Sequence, residues 1–305
     1  MITYHINVFF MISDLIDNGI IILNKPPKII SHEITTWVKK IIGAKRAGHA
    51  GTLDPNVSGV LPIALGKATK LLTYIAPKDK TYVGIIKFRK VLSRDEIEDL
   101  FKKFTGEITQ LPPKVSAVKK VKRKRRIYYI KFLEQGKENP RLVLFETQVD
   151  AGTYIRTLCE DIGTLCGGAR MEELRRIAVG KIKENQAITI YDLIDALWFW
   201  KNKNNNKFLA KIIHSPEKFI DFARVIVKNS AVSNIKNGAQ IMFPAIKEVD
   251  QTVKKDKLVA IYSEANDFLG IGECKFDYNE FQDIKNNKDK TSLHGLAVKI
   301  KRMHL

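Results

Sequence analysis

Residues Ala47 to Lys70 read AGHAGTLDPNVSGVLPIALGKATK, and this stretch constrains the fold more tightly than any other in the chain. Its one acidic residue, Asp54, stands between Leu53 and Pro55, with Gly48, Gly51 and Gly59 around it. Glycines at that density permit backbone geometries closed to other residues, which suits a loop lying close against a ligand. A single carboxylate held there is a candidate nucleophile or base. The competing reading is an Asp-Pro turn whose carboxylate caps the following helix.

The 305 residues suffice for one large and one small domain, each with its own core. Hydrophobic content of 45% with 28% charged residues fits a globular chain. Against 33 Asp+Glu there are 52 Lys+Arg, a net charge of +19 that favours a polyanionic partner such as nucleic acid. Lysine outnumbers arginine and the chain is rich in Ile and Asn, so compositional bias supplies part of that surplus. Cys159, Cys166 and Cys274 form no C-x-x-C pair, which argues for free thiols in a reducing compartment and against a zinc site. No metal or organic cofactor is expected. The apolar run from Ile6 to Ile12 is too short for a membrane span, so a cytoplasmic protein without a membrane partner is expected.

Along the chain, Gly19 to Leu23 has the pattern of a buried strand ended by Pro26-Pro27, and Ser31 is placed to cap a helix that Gly43 stops. Ala68 to Ile75 reads as helical and Thr81 to Phe88 as a strand with Tyr82 near its start. Ser93 and Glu96 form a capping box for a helix to Phe104. Leu111 to Phe132 is the most basic stretch, holding Lys119, Lys120, Arg123, Arg125 and Arg126 beside Tyr128 and Tyr129 with no acid inside it. That composition suits phosphate contacts next to aromatics, or a solvated loop between strands. Arg141 to Val149 alternates as a strand pairing with Ile127 to Leu133, and a helix from about Asp150 to Cys166 carries Arg156. Asp192 to Trp200 is an amphipathic helix, Lys201 to Lys207 a polar exposed loop or linker, and from Ala223 short β segments indicate a small β domain.

Several strings taken together carry a family resemblance. G-H-A-G-T-L-D-P, then S-G-V-L-P and G-x-A-T-K, resembles the catalytic motif of one family of pseudouridine synthases. K-P-P-x-x-x-S at Lys25, Lys80-Thr81-Tyr82, A-G-T-Y-I-R-x-L at Ala151, and Leu174-Arg175-Arg176 before Gly180 are similar to its other motifs in order. Lys28 stands where that family usually has glycine. VKNSAV, NGAQIMFPAI and KKDKLVAIYS resemble the PUA module, an RNA-binding β-barrel. The chain is similar to the dyskerin-type synthases, catalytic subunits of box H/ACA ribonucleoproteins, in their archaeal form. The segment between Tyr82 and Phe104 is too short for the T-D-T-x-D insertion of the bacterial tRNA enzymes.

The resemblance implies an α+β fold, with a mixed, mainly antiparallel sheet, flanking helices and a C-terminal PUA barrel. It divides the chain into a catalytic domain over 19–222, the PUA domain over 223–305, and an N-terminal segment, 1–18, packed on the PUA domain. It implies isomerisation of uridine within RNA after the base is flipped into a pocket. Asp54 is implied as the catalytic aspartate, attacking uracil C6 or ribose C1′ or acting as the base that forms a glycal. Arg156 is implied as its ion-pair partner, keeping the carboxylate charged in a dry pocket, and Tyr82 as the stack under the uracil. Lys25 and Leu174 are implied around the pocket, Lys25 buttressing the loop and the leucine packing beneath it. His49 either orients the loop or touches RNA. The implied partners are a box H/ACA guide RNA, a substrate rRNA or tRNA, and three small accessory proteins including one that binds K-turns. Guide-free modification of the tRNA T-loop and a non-catalytic RNA-binding scaffold are the competing functions.

Overall fold

The computed structural model describes residues 13, 15–112, 119–286 and 295–304. The strands of the larger part are β1 (Ile20–Lys25), β2 (Ala47–His49), β3 (Ser58–Leu65), β4 (Lys80–Phe88), β5 (Gly106–Gln110), β6 (Arg123–Gln135), β7 (Leu142–Val149), β8 (Ala169–Val179), β9 (Ile182–Lys183) and β10 (Ile213–His214). They form one sheet in the order β10-β1-β3-β8-β4-β7-β6-β5, with β2 added to β3 and β9 to β8. Every named pairing is antiparallel except the short parallel contact of β3 with β8, where Ser58 meets Arg175 and Gly59 meets Arg176. Gly59 has φ +105°, and a Cβ there would lie 2.1 Å from the Arg176 carbonyl oxygen, so only glycine allows the two strands to meet.

The helices are α1 (Ser31–Ile42), α2 (Arg94–Phe104), α3 (Ile155–Thr164), α4 (Ile190–Lys203) and α5 (Lys207–Ile212). One core layer joins α2 and α3 to β4, β6 and β7 through Ile97, Phe101, Ile155, Leu158, Phe88, Ile127 and Phe145. A second joins α1, α4 and α5 to β1 and β3 through Ile34, Val38, Leu193, Leu209, Leu23 and Ile63. Leu15 and Ile16, at the described end of the N-terminal segment, pack against this second layer. The rest of that segment, and Pro113 to Val118 of the basic stretch, lie outside the described residues. The capping box expected at Ser93 and Glu96 is present. Two expectations need correction. Ala47 to Lys70 is not loop throughout, because β2 and β3 flank a connection of residues 50–57. The polar run at Lys201 is also not a loop of seven residues: α4 continues to Lys203, Asn204 closes it in the left-handed conformation, and α5 begins at Lys207.

The smaller part pairs β11 (Ala223–Val227), β12 (Ile241–Met242), β13 (Ile246–Val249), β14 (Leu258–Ser263), β15 (Phe268–Cys274) and β16 (Leu296–Met303) in the order β12-β16-β15-β14-β11-β13, a nearly closed barrel. Helices α6 (Asn229–Lys236) and α7 (Tyr278–Asn286) accompany it. The fold is therefore α+β, as expected. Among the described residues no helix is long and apolar enough to cross a membrane.

Candidate active site

The loop from Ala50 to Val57 is fastened from three sides before any ligand is considered. At the end of β1, Lys25 is fully buried, and its ammonium donates to the carbonyls of Pro26 (2.9 Å), Pro55 (3.0 Å) and Val57 (2.8 Å). Six residues later the Ser31 hydroxyl donates to the Leu53 carbonyl and accepts from the Leu53 amide, both at 2.9 Å. Ser31 therefore does not cap α1; Ile30 occupies that position and Ser31 is the first helical residue. Between them, the Lys28 amide donates to the Pro55 carbonyl at 2.8 Å, with Lys28 at φ +69°. The backbone of residues 53, 55 and 57 is held from one short segment, which leaves Asp54 to project from a fixed base.

From beneath, Arg176 on β8 is 1% exposed. Its Nε donates to the Val60 carbonyl (2.8 Å) and its Nη2 to the Gly51 carbonyl (2.9 Å), and the Tyr82 phenol interacts with the guanidinium. Gly51, at φ +80°, lies against this guanidinium and against Lys80, whose Nζ donates to the Ala76 carbonyl at 2.7 Å and also to that of Lys78. Burial pushes both lysines down to about 8; at Lys25 the Asp54 charge opposes that shift and Arg176 adds to it, while at Lys80 Arg176 adds to it and Asp79 opposes it. Sequence reasoning missed Ser31 and Arg176 as loop supports. Their partners are up to 125 residues distant, and no local pattern signals such contacts.

Asp54 meets Arg156 directly through a carboxylate oxygen and Nη2. Arg156 is the second residue of α3, where a cation opposes the helix dipole, so the pairing with Asp54 compensates an otherwise unfavourable position. The side chains are 52% and 45% exposed. This corrects the expectation of a dry pocket: the pair faces solvent, and only a ligand seated over it would exclude water. Tyr82 is buried rather than half-buried, at 7% exposure, and packs with Leu53, Val57 and Leu174 in the core below the loop. Leu174 packs in the same core as Leu53 and Val57 of the loop. Lys25 is not placed to touch RNA; its Nζ is consumed by backbone carbonyls.

His49 ends β2, half-buried, with Nδ1 buried and unpartnered among the described residues. Burial first, then Arg176 and His32, lower its pKa, which keeps the imidazole neutral near pH 7. The basic stretch runs into β6: Lys119 and Lys120 before the strand and Arg123 and Arg126 within it are exposed. The fold supplies the acids that the stretch itself lacks. Glu107 pairs with Lys124 at 2.7 Å, Asp150 accepts from the Arg126 amide and the Tyr128 hydroxyl, and Glu146 accepts from Tyr129. Arg125 lies against Gly152, with its Nε buried. Among the described residues no hydrogen bond or ion pair joins these cations to Asp54; they form a basic edge at and before the start of β6.

The arrangement joins a carboxylate, a guanidinium that pairs with it, and an aromatic ring in the core below the loop. Comparison with known proteins agrees with that chemistry. Residues 39–155 match the N-terminal domain of TruB family pseudouridylate synthases, 156–221 the C-terminal domain of tRNA pseudouridylate synthase B, and 223–303 the PUA domain. A protein of Archaeoglobus fulgidus named probable tRNA pseudouridine synthase B is 39% identical over 293 residues, 95% of this chain and 86% of that one. Among solved structures, a Cbf5-Nop10-Gar1 complex matches with TM-score 0.84 at 39% identity, over 96% of this chain and 87% of the other. An H/ACA RNP bound to a substrate RNA containing 2'-deoxyuridine matches with TM-score 0.84 at 37% identity over the same shares.

Proposed function

Because this chain belongs to the TruB family of pseudouridylate synthases, we propose that Asp54 is the reacting carboxylate of its uridine isomerisation and that a guide RNA of the box H/ACA class selects the uridine. In that reaction the N1–C1′ bond of the target breaks and C5 bonds to C1′ instead. The proton lost from C5 is balanced by one gained at N1, so no electron acceptor is required. The observation that carries the reading is the meeting of Asp54 with Arg156 at an open face, on a loop whose Leu53 and Val57 share a core with buried Tyr82. A flipped pyrimidine lying on that face would exclude water from the ion pair and strengthen it. Tyr82 would supply the stack, and Arg156 would hold the carboxylate charged and aimed.

The guide-dependent form draws support from two solved structures similar to this chain, a Cbf5-Nop10-Gar1 complex and an H/ACA RNP bound to a substrate RNA. Accessory proteins of that kind, including one that binds K-turns, would complete the particle, in the cytoplasm. The names of the sequence relatives favour a second reading, direct action on tRNA. Incubating the purified protein with an unmodified tRNA transcript, and with a guide and target RNA pair plus accessory proteins, separates the two by chromatography of the released nucleosides. Pseudouridine in the bare tRNA at an unchanged rate would replace the guide-dependent reading. Asp54→Asn is expected to abolish product in both settings while retaining RNA binding, and full turnover by it would remove Asp54 from the chemistry.

A further inference from the structure

We propose that a cavity behind the catalytic loop is a phosphate-binding groove that holds the backbone of the RNA strand leading to the reacting uridine. This rests on the RNA-modifying reading above and adds to it a site that is separate from the basic edge on β6.

The cavity, about 430 Å³, lies between α1, the start of β2 and the turn after β3. Lys39, Lys45 and Arg46 line it together with His32, Thr36 and Thr69, and no aspartate or glutamate is among its lining residues. Among the described residues none of the three cations makes an ion pair. Lys39 is not needed to cap α1, because the Gly43 and Ala44 amides already donate to its carbonyl, each at 3.1 Å. The threonine hydroxyls are committed too: Thr36 donates to the His32 carbonyl at 3.0 Å and Thr69 to that of Gly66 at 2.7 Å. The side-chain donors left for a ligand are therefore mainly cationic. A cavity so equipped selects charge rather than a base edge, which is the signature of backbone phosphate contact.

Its position ties it to the reaction. Ser31, in the first turn of α1, is bonded both ways to Leu53 beside Asp54, while His32 and Lys39 of the same helix face the cavity. β2 makes the second connection, with Arg46 just before it and Gly48 within it lining the cavity and His49 at its end leading into the loop. A strand whose nucleotide is extruded onto Asp54 must keep its neighbouring phosphates close by, and these three cations, without an ion pair among the described residues, lie on α1 and just before β2, the two elements that connect to that loop.

The test compares two charge-matched variants of the full chain, using a tRNA transcript as the probe. One carries Lys39→Gln, Lys45→Gln and Arg46→Gln; the other carries Lys201→Gln, Lys207→Gln and Lys211→Gln on helices α4 and α5, none of which lines the cavity. Affinity is measured by fluorescence anisotropy between about 50 and 200 mM salt. The groove variant is expected to lose roughly tenfold in affinity at the lower salt, and its log K against log salt slope should flatten by about 2, three contacts at roughly 0.7 each. Its loss should fall on KM more than on the single-turnover rate at saturating RNA. The control should change slope by much less. Equal losses in both variants, or an unchanged slope in the groove variant, would overturn the proposal. A wild-type chain that binds the transcript with the expected salt dependence but forms no pseudouridine on any RNA would sink the reaction instead, leaving the binding comparison readable.

Discussion

Arg156 shows how a side chain can matter greatly to chemistry and little to stability. Both it and Asp54 are about half exposed, so the pair contributes at most about 1 kcal/mol to folding. Under a bound base the same pair would be desolvated and far stronger. Arg156→Ala should therefore lower the single-turnover rate by roughly 100-fold or more with little change in Tm. Arg156→Lys, which keeps the charge but not the planar fork, should fall between. Near-normal rates in the alanine variant would dismiss the pair. Lys25 behaves in the opposite manner, because its work is structural and its proton is the weak point. Its pKa in the folded chain is lowered to about 8 from 10.5, so between those values the unfolded chain binds more protons than the folded one. Stability should consequently rise with pH across that window as the burial cost of the charge is relieved. Activity should fall over the same range, since a neutral amine has two hydrogens for three carbonyls and loosens residues 55 and 57. A pH profile of turnover that stays flat to pH 10 would contradict this role. Asp54, Tyr82 and Arg156 were legible in the sequence because each stands in a short distinctive string. Arg176 was not: its carbonyl partners sit on Gly51 and Val60, and only the pairing of β3 with β8 brings them together.

The segment from β1 into α1 works as a clamp, and one of its residues is poorly suited to its geometry. Lys28 adopts φ +69°, a conformation that costs a side-chain-bearing residue about 1 kcal/mol, while its amide holds Pro55. Lys28→Gly relieves that strain but frees the unfolded chain, so a net gain near 0.5 kcal/mol is expected, read as a small rise in Tm with turnover unchanged. A fall in Tm would mean that the lysine side chain makes a compensating contact. This also explains why the departure at Lys28 was visible in the sequence as an oddity without its consequence being clear. Strand legibility followed burial. β4 and β7 alternate between buried and half-buried positions and were readable by period. β3, buried at every position after Ser58, has no alternation and merged into the glycine-rich loop before it. β8 mixes Glu173, Arg175 and Arg176 into a central strand, and register shifts against β4 at Tyr82 and Ile86 scramble its period. The pairing of β6 with β7 was legible, whereas the acids that temper the basic edge, Glu107 and Asp150, come from other segments and were not.

The two sheets meet through a small shared core that neither half signals alone. Leu71, fully buried in the turn after β3, packs with Ala260, Tyr262, Phe268 and Ile271 of the barrel, and Tyr74, Ile220 and Phe222 close the seam. Tyr74 stands edge-on to Phe222, with ring centroids 6.0 Å apart. An apolar seam of this kind couples the unfolding of its two sides, since opening one exposes hydrocarbon of the other to water. On the reading proposed above, it would also set the spacing between RNA held by the barrel and a uridine over Asp54, so that two modest contacts to one RNA would reinforce each other. Removing the barrel after Phe222 would therefore not be a neutral cut, as it strips the cover from Leu71. Leu71→Asp is the cleaner probe. Placing a carboxylate in this dry seam should destabilise it by about 3 kcal/mol and turn one calorimetric transition into two, the large sheet and the barrel melting apart. Guide RNA affinity should drop with it, although every residue of the barrel surface is unchanged, because the linked contacts lose their fixed spacing. A single transition at nearly the wild-type temperature, with undiminished RNA affinity, would show that the seam carries no coupling and that the barrel acts as an independent tethered module.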